Sequence, residues 1–218
     1  MFHVEQSTEE RLIREILLDP RLNLDQSKIP DSAVPHLLAY TRLWHKWNAK
    51  ISLTAEKAPD LFIRNHLFVS LQFLQGVENA QGLVDIGSGA GLPGIPLKIL
   101  RPELPTLLVE CRRKRASFLM TVVRELGLKG VQVADTKVEA IASPGIPIDT
   151  AVFRAVADTP TCLEWARGIM PQGGRVVLLR TPKEAERPDL SDSAIKCIDK
   201  FSLEDFESHP LVLLVFHI

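Results

Sequence analysis

The chain has few cysteines, almost no net charge and no long hydrophobic run. Its three cysteines, Cys111, Cys162 and Cys197, are odd in number and scattered, which suits a reducing compartment better than a disulfide framework. The 218 residues carry 26 basic and 27 acidic side chains, a net charge of −1, so a polyanion would need a local basic patch. No apolar run approaches the roughly 20 residues that span a bilayer, and the start "MFHVEQSTEE" is unlike a signal peptide. We therefore expect a cytoplasmic protein with no membrane partner.

Signals for metal or nucleophilic chemistry are also missing. The six histidines never assemble with cysteines or acids at ligand spacing. No serine or cysteine lies in a recognisable nucleophile turn. We expect no bound metal and no covalent nucleophile.

Residues 1–78 have the pattern of a helical N-terminal lobe. Ser7 and Glu10 form a capping-box pattern, and Asp31 is the expected cap of a second helix, with Pro35 in its first turn. Three apolar stripes at helical spacing accompany these signals: Leu12, Ile13, Ile16 and Leu17; then Val34, Leu37, Leu38 and Thr41; then Ile63, His66, Leu67, Ser70, Leu71 and Leu74. The segment "LWHKWNAKISLT", residues 43–54, is interpreted as a packed corner between the last two helices.

Residues 79–218 alternate between strand and helix patterns, which predicts an α/β domain with a doubly wound, mostly parallel sheet. The predicted helices run from Arg113 to Leu126 and from Pro160 to Met170. The tail "HPLVLLVFHI" is expected to pair, in an antiparallel sense, with a strand near Ala194 to Ile198. Five earlier strands are predicted from short apolar runs, at residues 83–86, 106–109, 131–134, 148–153 and 175–179.

The first of these strands runs into "LVDIGSGAGLPG", a glycine-rich turn where such sheets bind ligands. Gly89, Gly91 and Gly94 fit G-x-G-x-x-G, which holds a dinucleotide pyrophosphate. Gly87, Gly89 and Gly91 behind Asp85 instead fit D-x-G-x-G-x-G, which is typical of S-adenosylmethionine sites. A carboxylate near the strand end favours the cationic ligand. The structural alternative is that Asp85 caps the amides of the turn.

Glu110, at the end of the second strand, is a candidate acceptor for both ribose hydroxyls of a bound nucleoside. This contact fits either cofactor. The alternative is an ion pair with Arg112 or Lys114, which follow it in the sequence.

Six segments together resemble the RsmG (GidB) family of small-subunit ribosomal RNA methyltransferases in their order and spacing. These segments are "MFHVEQS", "LWHKWNAKISLT", "RNHLFVSL", "VDIGSGAGLPGIPLKI", "VECRRKRASFL" and "FRAVAD". The resemblance implies a class I methyltransferase fold with a helical N-terminal extension and S-adenosylmethionine as cofactor. It further implies methyl transfer to N7 of a guanine in 16S rRNA, so that the expected partner is this RNA or the small ribosomal subunit. We expect the protein to be a monomer.

The resemblance also assigns roles to particular residues. It implies that Gly87, Ser88 and Leu92 belong to the cofactor loop, and that Val138 and Glu139 lie near the adenine. Glu139 by itself would be interpreted as a solvated acid at a helix start. Arg154, at the end of the fourth strand, is implied to contact the cofactor or the target base.

Two departures from the family pattern concern target binding more than the cofactor site. The family usually has an aspartate in H-x-x-D-S-L, where this chain has Val69. It also tends to have Lys-Gly at the end of the fifth strand, where this chain has Arg180 and Thr181.

Transfer to guanine N7 needs no general base, because this nitrogen already carries an in-plane lone pair. Alignment of the reactants supplies most of the catalysis. Arg154 and His66 are therefore candidates for positioning the substrate and not for proton transfer. The alternative for His66 is a hydrogen-bonded histidine on an apolar helix face.

The expected RNA contacts are Arg112, Arg113, Lys114 and Arg115, the only run of four basic residues in the chain. Cations at a helix start oppose the helix dipole, which favours a polyanion partner over a solvated basic face. Arg64, Lys46 and Lys50 are candidates to extend this patch. Trp44 or Trp47 would be available to stack on an extruded base, although tryptophans more often lie in the core.

Two other functions compete with the methyltransferase hypothesis. The G-x-G-x-x-G register allows a nicotinamide-dependent oxidoreductase. The loss of the family aspartate at Val69 allows a non-catalytic RNA-binding or ribosome-assembly factor on a methyltransferase fold.

Overall fold

The structure, a computed structural model, describes residues 7–186 and 196–218 and is centred on a seven-stranded sheet. The strand order is β3-β2-β1-β4-β5-β7-β6. Neighbouring strands among the first five are parallel, whereas β7 runs antiparallel to both β5 and β6. The strands are β1 (Leu83–Ile86), β2 (Thr106–Val109), β3 (Val131–Ala134), β4 (Thr150–Arg154), β5 (Arg175–Arg180), β6 (Lys196–Glu204) and β7 (Pro210–His217).

The predicted strands are confirmed with small shifts at their ends. The first three have the predicted bounds, while β4 begins at Thr150 instead of Ile148. The antiparallel partner of the tail is also confirmed, but it runs to Glu204, well beyond Ile198. The first two residues of that prediction, 194 and 195, lie outside the described residues. The shift at β6 has a simple reason, since most of its side chains are exposed and give no apolar pattern.

The helices cover the sheet and build the N-terminal lobe. Ser7 caps the first helix by accepting a hydrogen bond from the Glu10 backbone N–H at 3.2 Å, which confirms one half of the predicted capping box. The Glu10 side chain instead accepts hydrogen bonds from Arg14. The helix that starts after the second strand also ends as predicted, at a Leu126 cap followed by Gly127 at φ +60°. The helices are α1 (Thr8–Leu17), α2 (Ala33–Ile51), α3 (Pro59–Phe62), α4 (Phe68–Gln72), α5 (Gly94–Leu100), α6 (Arg113–Glu125), α7 (Thr159–Ile169) and α8 (Pro182–Ala185).

Two expectations for the second helix are wrong. Asp31 does not cap it: the residue before α2 is Ser32, and no side chain caps this end. The segment 43–54 is not a corner, because α2 continues to Ile51 and ends only at Ser52, in a left-handed conformation with φ +50°. The buried face continues through Trp44 and Asn48 at helical spacing, whereas Val34 and Leu38 are only half-buried. The amide and basic groups that suggested a corner belong to one long helix.

The third apolar stripe forms a helix with a widened turn. A π-helix, Ile63–Leu67, separates α3 from α4. Such widened turns are rare and occur frequently at functional sites.

The N-terminal helices and the sheet domain share one hydrophobic core. Buried residues of α1 and α2 pack in the same cluster as Leu92, Ile95 and Phe118. The Tyr40 hydroxyl donates a hydrogen bond to the backbone carbonyl of Ala90, in the glycine loop. The helical lobe therefore supports the loop directly, and a domain boundary between residues 78 and 79 stays a prediction. Within the described ranges, no helix is long and apolar enough to cross a membrane.

Candidate cofactor and RNA site

The loop after β1 requires glycine at particular positions. Gly87 has φ +77°, and a Cβ there would lie 2.7 Å from Cγ1 of Val156. Gly91 has φ +86°, and its Cβ would lie 2.6 Å from Cγ1 of Ile95. Both conditions exclude side chains. The loop thus brings its backbone close to the end of β4 and to α5.

A cavity of about 260 Å³ lies beside this loop, at the carboxyl ends of β1 and β2. The volume is near the lower end of small-molecule sites, about 300 Å³. Four residues of the predicted cofactor site, Gly87, Glu110, Val138 and Glu139, line it together. The other lining residues are Ile86, Val109, Cys111, Thr136, Lys137, Val156 and Trp165. Its walls are therefore mainly apolar, with one buried carboxylate, which suits a purine nucleoside.

Glu110 connects the glycine loop to the start of α6. Its side chain is buried; Oε2 accepts a hydrogen bond from the Gly89 backbone N–H at 2.9 Å, and Oε1 accepts one from the Arg112 backbone N–H at 2.7 Å. The alternative of an ion pair with the side chain of Arg112 or Lys114 is not what the structure shows. Each carboxylate oxygen keeps a free lone pair, so Glu110 retains the capacity to accept a ribose hydroxyl.

Asp85 lies beneath the loop, and its side chain does not line the cavity. Oδ2 accepts a hydrogen bond from the Gly94 backbone N–H at 2.9 Å, while Oδ1 is buried without a partner among the described residues. The structural alternative from the sequence, a carboxylate that caps the turn, is therefore present. Burial raises the pKa of Asp85 to about 7. A cation bound above the loop would favour the ionised form of this carboxylate.

Arg154 and His66 are joined in a network with Glu56. The Arg154 guanidinium donates from Nη1 to the carbonyl of His66 (3.2 Å) and to Oγ of Ser70 (3.0 Å), and from Nη2 to the carbonyl of Asn65 (3.1 Å) and to Nδ1 of His66 (2.8 Å). The other ring nitrogen, Nε2, hydrogen-bonds Oε2 of Glu56. The two carbonyl acceptors belong to the π-helix, so Arg154 stabilises its widened turn.

The charges of this network follow from its burial. Desolvation lowers the pKa of Arg154 to about 10, so the guanidinium stays protonated at neutral pH. Desolvation and the Arg154 charge both lower the pKa of His66 below its usual 6.5, although Glu56 opposes them. A neutral His66 with its proton on Nε2 then donates to Glu56 and accepts from Arg154.

Sequence reasoning missed Glu56 and Asn48. Asn48 donates from Nδ2 to the Glu56 carbonyl at 2.6 Å and accepts from the Thr54 backbone N–H at 2.9 Å, which fixes the segment after α2. Both residues lie in or next to a segment that resembles the family, and this was their only signal. Nothing in the spacing indicated that Glu56 would reach His66.

The predicted RNA-contacting cations lie at the start of α6. Arg112, Arg113 and Lys114 are exposed and Arg115 is half-buried. Nη1 of Arg115 would lie 3.7 Å from a Cβ on Gly89, so this side chain borders the glycine loop. Among the described residues, none of the four forms an ion pair. The cations are thus available beside the cofactor cavity.

The helical lobe contributes less to this patch than the sequence suggested. Trp44 is fully buried and stacked on Phe62 at 4.0 Å, so the expectation that it could stack on a base is wrong. Trp47 is half-buried against Phe118. Arg64 lies over the Phe206 ring at 4.5 Å. Lys46 and Lys50 are exposed on α2.

The two departures from the family pattern have structural counterparts. Val69 is buried in the core, and Glu56 gives His66 an acidic partner. Arg180 is buried and donates to the Ala157 carbonyl at 2.9 Å and to Oγ1 of Thr159 at 3.2 Å. A second cavity, of about 720 Å³, lies beside Arg180 and Thr181 at the ends of β4 and β5 and shares Val156 with the first.

No group of three or more potential metal ligands occurs in the part of the chain that the structure describes.

The strand order, the glycine loop after β1 and the adjoining cavity define a class I S-adenosylmethionine-dependent methyltransferase fold. The same fold occurs in the O-methyltransferase TomG from Streptomyces achromogenes, solved with this cofactor (TM-score 0.58, 18% identity, 97% of this chain and 99% of that chain). TrmN from Thermus thermophilus has a TM-score of 0.51 at 17% identity, covering 69% of this chain and 48% of that one.

Sequence comparison identifies the family within this class. The model of the GidB family, rRNA small subunit methyltransferase G, matches residues 33–205. Proteins named ribosomal RNA small subunit methyltransferase G are similar to the chain at 39% identity in Alkalilimnicola ehrlichii (72% of this chain, 71% of that protein) and 36% in Neisseria meningitidis (67% and 70%). The Clostridium botulinum protein of that name is 32% identical, over 88% of this chain and 85% of its own length. The chain belongs to the GidB family and is an S-adenosylmethionine-dependent methyltransferase.

Proposed function

We propose that the protein transfers a methyl group from S-adenosylmethionine to N7 of a guanine in the 16S rRNA of the small ribosomal subunit. One arrangement carries this proposal: the nucleoside-sized cavity lined by Gly87, Glu110, Val138 and Glu139 lies beside an exposed basic turn without ion pairs among the described residues. Family membership supplies the RNA class, because the relatives are named for ribosomal RNA of the small subunit.

The residues present fit S-adenosylmethionine. Apolar walls that include Val138 suit the adenine, and Glu110 has lone pairs for the ribose hydroxyls. The loop leaves backbone partly exposed at Gly87 and Gly89, whereas Gly91 is buried. Asp85 beneath the loop carries a carboxylate with one unpartnered oxygen among the described residues. In this proposal Ser88 and Leu92 complete the loop. Bound there, the cofactor would supply a methyl group attached to a cationic sulfur, and this sulfur would be a neutral thioether leaving group.

The chain's own residues need only align the reactants. Guanine N7 attacks with a lone pair already in the ring plane, so no proton has to leave first. His66 agrees with this requirement, since both of its ring nitrogens are engaged within the protein. Positioning can supply up to roughly 7 to 11 kcal/mol of the barrier. His66 and Arg154 contribute to positioning, and no general base takes part.

The RNA is held by local charge. Arg112, Arg113, Lys114 and Arg115 meet the phosphate backbone next to the cavity, and Arg64 extends the contact from the π-helix. A net charge of −1 provides no general attraction, so binding depends on this patch and weakens steeply with salt.

The test is transfer of labelled methyl from S-adenosylmethionine to small subunits, or to their 16S rRNA, from cells that lack this modification. Label on one guanine N7, mapped by cleavage at the modified nucleotide, is the expected result. Label on another base or RNA would replace the proposed target. Cofactor binding without transfer to any particle would instead favour the non-catalytic assembly factor, for which the buried Val69 in place of the family aspartate is the specific observation.

A further inference from the structure

The Arg154 side chain has few donors left for a ligand. A guanidinium has five N–H groups, and four of those of Arg154 are directed to acceptors on the helix that contains His66 and Ser70. Arg154 is also absent from the lining of both cavities near β4. The Arg154 guanidinium is therefore hydrogen-bonded within the protein and does not line either cavity.

The residue that follows Arg154 is strained. Ala155 has φ +53°, a left-handed conformation that is sterically unfavourable for a non-glycine residue. Such a conformation persists only where the surroundings enforce it. The hydrogen bonds of Arg154 are the anchor immediately before it. Val156 comes next, packs against Gly87 and lines both cavities.

We propose that Glu56, His66 and Arg154 form a positioning relay, a chain of hydrogen bonds that fixes the backbone of Ala155 and Val156. Val156 belongs to the wall that the two cavities share. Glu56 fixes the His66 ring and keeps Nδ1 free of a proton. That nitrogen then accepts from Arg154, which the π-helix carbonyls and Ser70 hold from the other side. Arg154 acts through Val156 and not by touching the cofactor. The identity of the ligand in this proposal rests on the proposed function.

The relay can be separated from direct contact because Glu56 lines neither cavity. The variants are Arg154→Gln, Glu56→Ala and their double mutant. The matched control is Glu15→Ala, which changes an exposed side chain of α1. Calorimetry with S-adenosylmethionine should give about a tenfold weaker Kd for each single variant. The double mutant should be no weaker than either, since coupled residues act as a unit. Arg154→Lys keeps the charge but not the forked donors. If Arg154→Gln fails to fold, Arg154→Lys takes its place in this test, with the same expected loss of affinity.

Two results would overturn the relay. A weaker Kd in Arg154→Gln with no change in Glu56→Ala would mean that Arg154 contacts the cofactor directly. If the double mutant lost affinity by the product of the two single-variant losses, the two residues would act independently.

The pH dependence provides a readout that a general loss of stability would not reproduce. Protonation of His66 places a hydrogen on Nδ1, facing Arg154, so the affinity should fall at pH values below the His66 pKa, which lies under 6.5. The charged groups that face His66 are Glu56 and Arg154, and Asp85 and Tyr40 in turn face Arg154. Glu56→Gln keeps an acceptor for Nε2 but removes the carboxylate that raises this pKa. It should therefore bind within about twofold of the wild type at pH 7.5 and move the acid limb to lower pH. Protonation of Asp85, whose pKa is about 7, also weakens the binding of a cation and is not moved by this substitution, so the comparison is made on the limb below pH 6.5. If that limb does not move, the role of His66 is contradicted.

Hydrogen exchange in the cofactor-free protein tests the relay without a ligand, so the result does not depend on the identity of the cofactor. Amides 155–158 should exchange faster in Glu56→Ala and Arg154→Gln than in the wild type or Glu15→Ala. If the wild type binds no S-adenosylmethionine but this exchange difference is present, the proposed function fails and the relay stands. If exchange at 155–158 is unchanged, the relay fails whatever the ligand is.

Discussion

The polar groups on the two sides of the glycine loop are arranged in opposite ways. On the β4 side, Arg154 is half-buried and donates four hydrogen bonds to protein acceptors. On the β2 side, Arg112, Arg113 and Lys114 are exposed, with no ion pair in the described ranges. A cation that is partly withdrawn from water needs partners, whereas exposed cations at a helix start are disfavoured by roughly 0.3 to 1 kcal/mol each. The first side thus stabilises the protein's own shape, and the second is available to an external polyanion.

The largest expected effect concerns the exposed side. Neutralising Arg112, Arg113 and Lys114 to glutamine should weaken binding to 16S rRNA by about two to three orders of magnitude at low salt, and lower the salt slope by about 2. Cofactor affinity should stay the same. The variant should also unfold at a slightly higher temperature, because unfavourable charge leaves the start of α6. Filter binding across a salt series and thermal unfolding measure both effects.

The matched control removes the same charge from paired cations elsewhere. Arg11, Lys28 and Arg124 each form an ion pair with a nearby acid. Changing these three to glutamine should leave RNA affinity within a few-fold. Equal losses in the two triple variants would show that only net charge matters, and the proposed interface would be wrong.

The two sides also differ in how far the sequence could predict them. The basic run and the glycine loop are contiguous, so residue types and spacing are enough to reveal them. The relay joins Glu56, His66 and Arg154 from distant parts of the chain, and no local pattern links an acid after α2 to an arginine at the end of β4. The central parallel strands were predicted well because burial on both faces makes them mostly apolar. The edge strand β3 is only half-buried, and alternation of valine with an exposed Gln132 gave its signal. The course of α2 was misjudged because polar outward-facing residues hid its helical period.

Gly87 tests the buried side with the next largest effect. Gly87→Ala places a Cβ 2.7 Å from Val156 in a backbone with φ +77°. Strain and contact together should weaken S-adenosylmethionine binding by about a hundredfold, measured by calorimetry, with little change in RNA affinity. Gly168→Ala is the control, because that glycine lies in α7 with no atom within 4 Å of the added Cβ. It should bind normally and be slightly more stable. Normal binding by Gly87→Ala would show that Val156 gives way easily and does not define the wall.

Asp85 gives a pH-dependent effect on the same side. Its folded-state pKa, about 7, lies above the usual 3.8 of an aspartate side chain. Its contribution to stability is therefore fully present below the unfolded pKa and is lost as pH rises through about 7. The unfolding free energy of the wild type minus that of Asp85→Asn should fall by about 2 to 3 kcal/mol between pH 5 and pH 8, measured in urea.

Asp158 is the control for this measurement. The hydrogen bond from Thr161 lowers the pKa of the Asp158 carboxyl, so its contribution is lost only under more acidic conditions. Asp158→Asn should differ from the wild type by the same amount at pH 5 and pH 8. A constant difference for Asp85→Asn as well would mean that this carboxylate is already ionised at pH 5, and that the loop itself compensates its charge.

The smallest expected effect tests whether the left-handed backbone conformation of Ala155 is strained. Glycine adopts φ +53° without steric cost, so Ala155→Gly should raise the unfolding free energy by roughly 0.5 to 1 kcal/mol. Chemical denaturation measures this gain. In the Arg154→Lys background the same change should also recover part of the lost cofactor affinity, because a glycine needs less anchoring to hold Val156 against Gly87. Destabilisation by Ala155→Gly would mean that the turn carries little strain. The hydrogen bonds of Arg154 would then stabilise the π-helix alone, and the difference between the two sides of the loop would be one of burial and not of function.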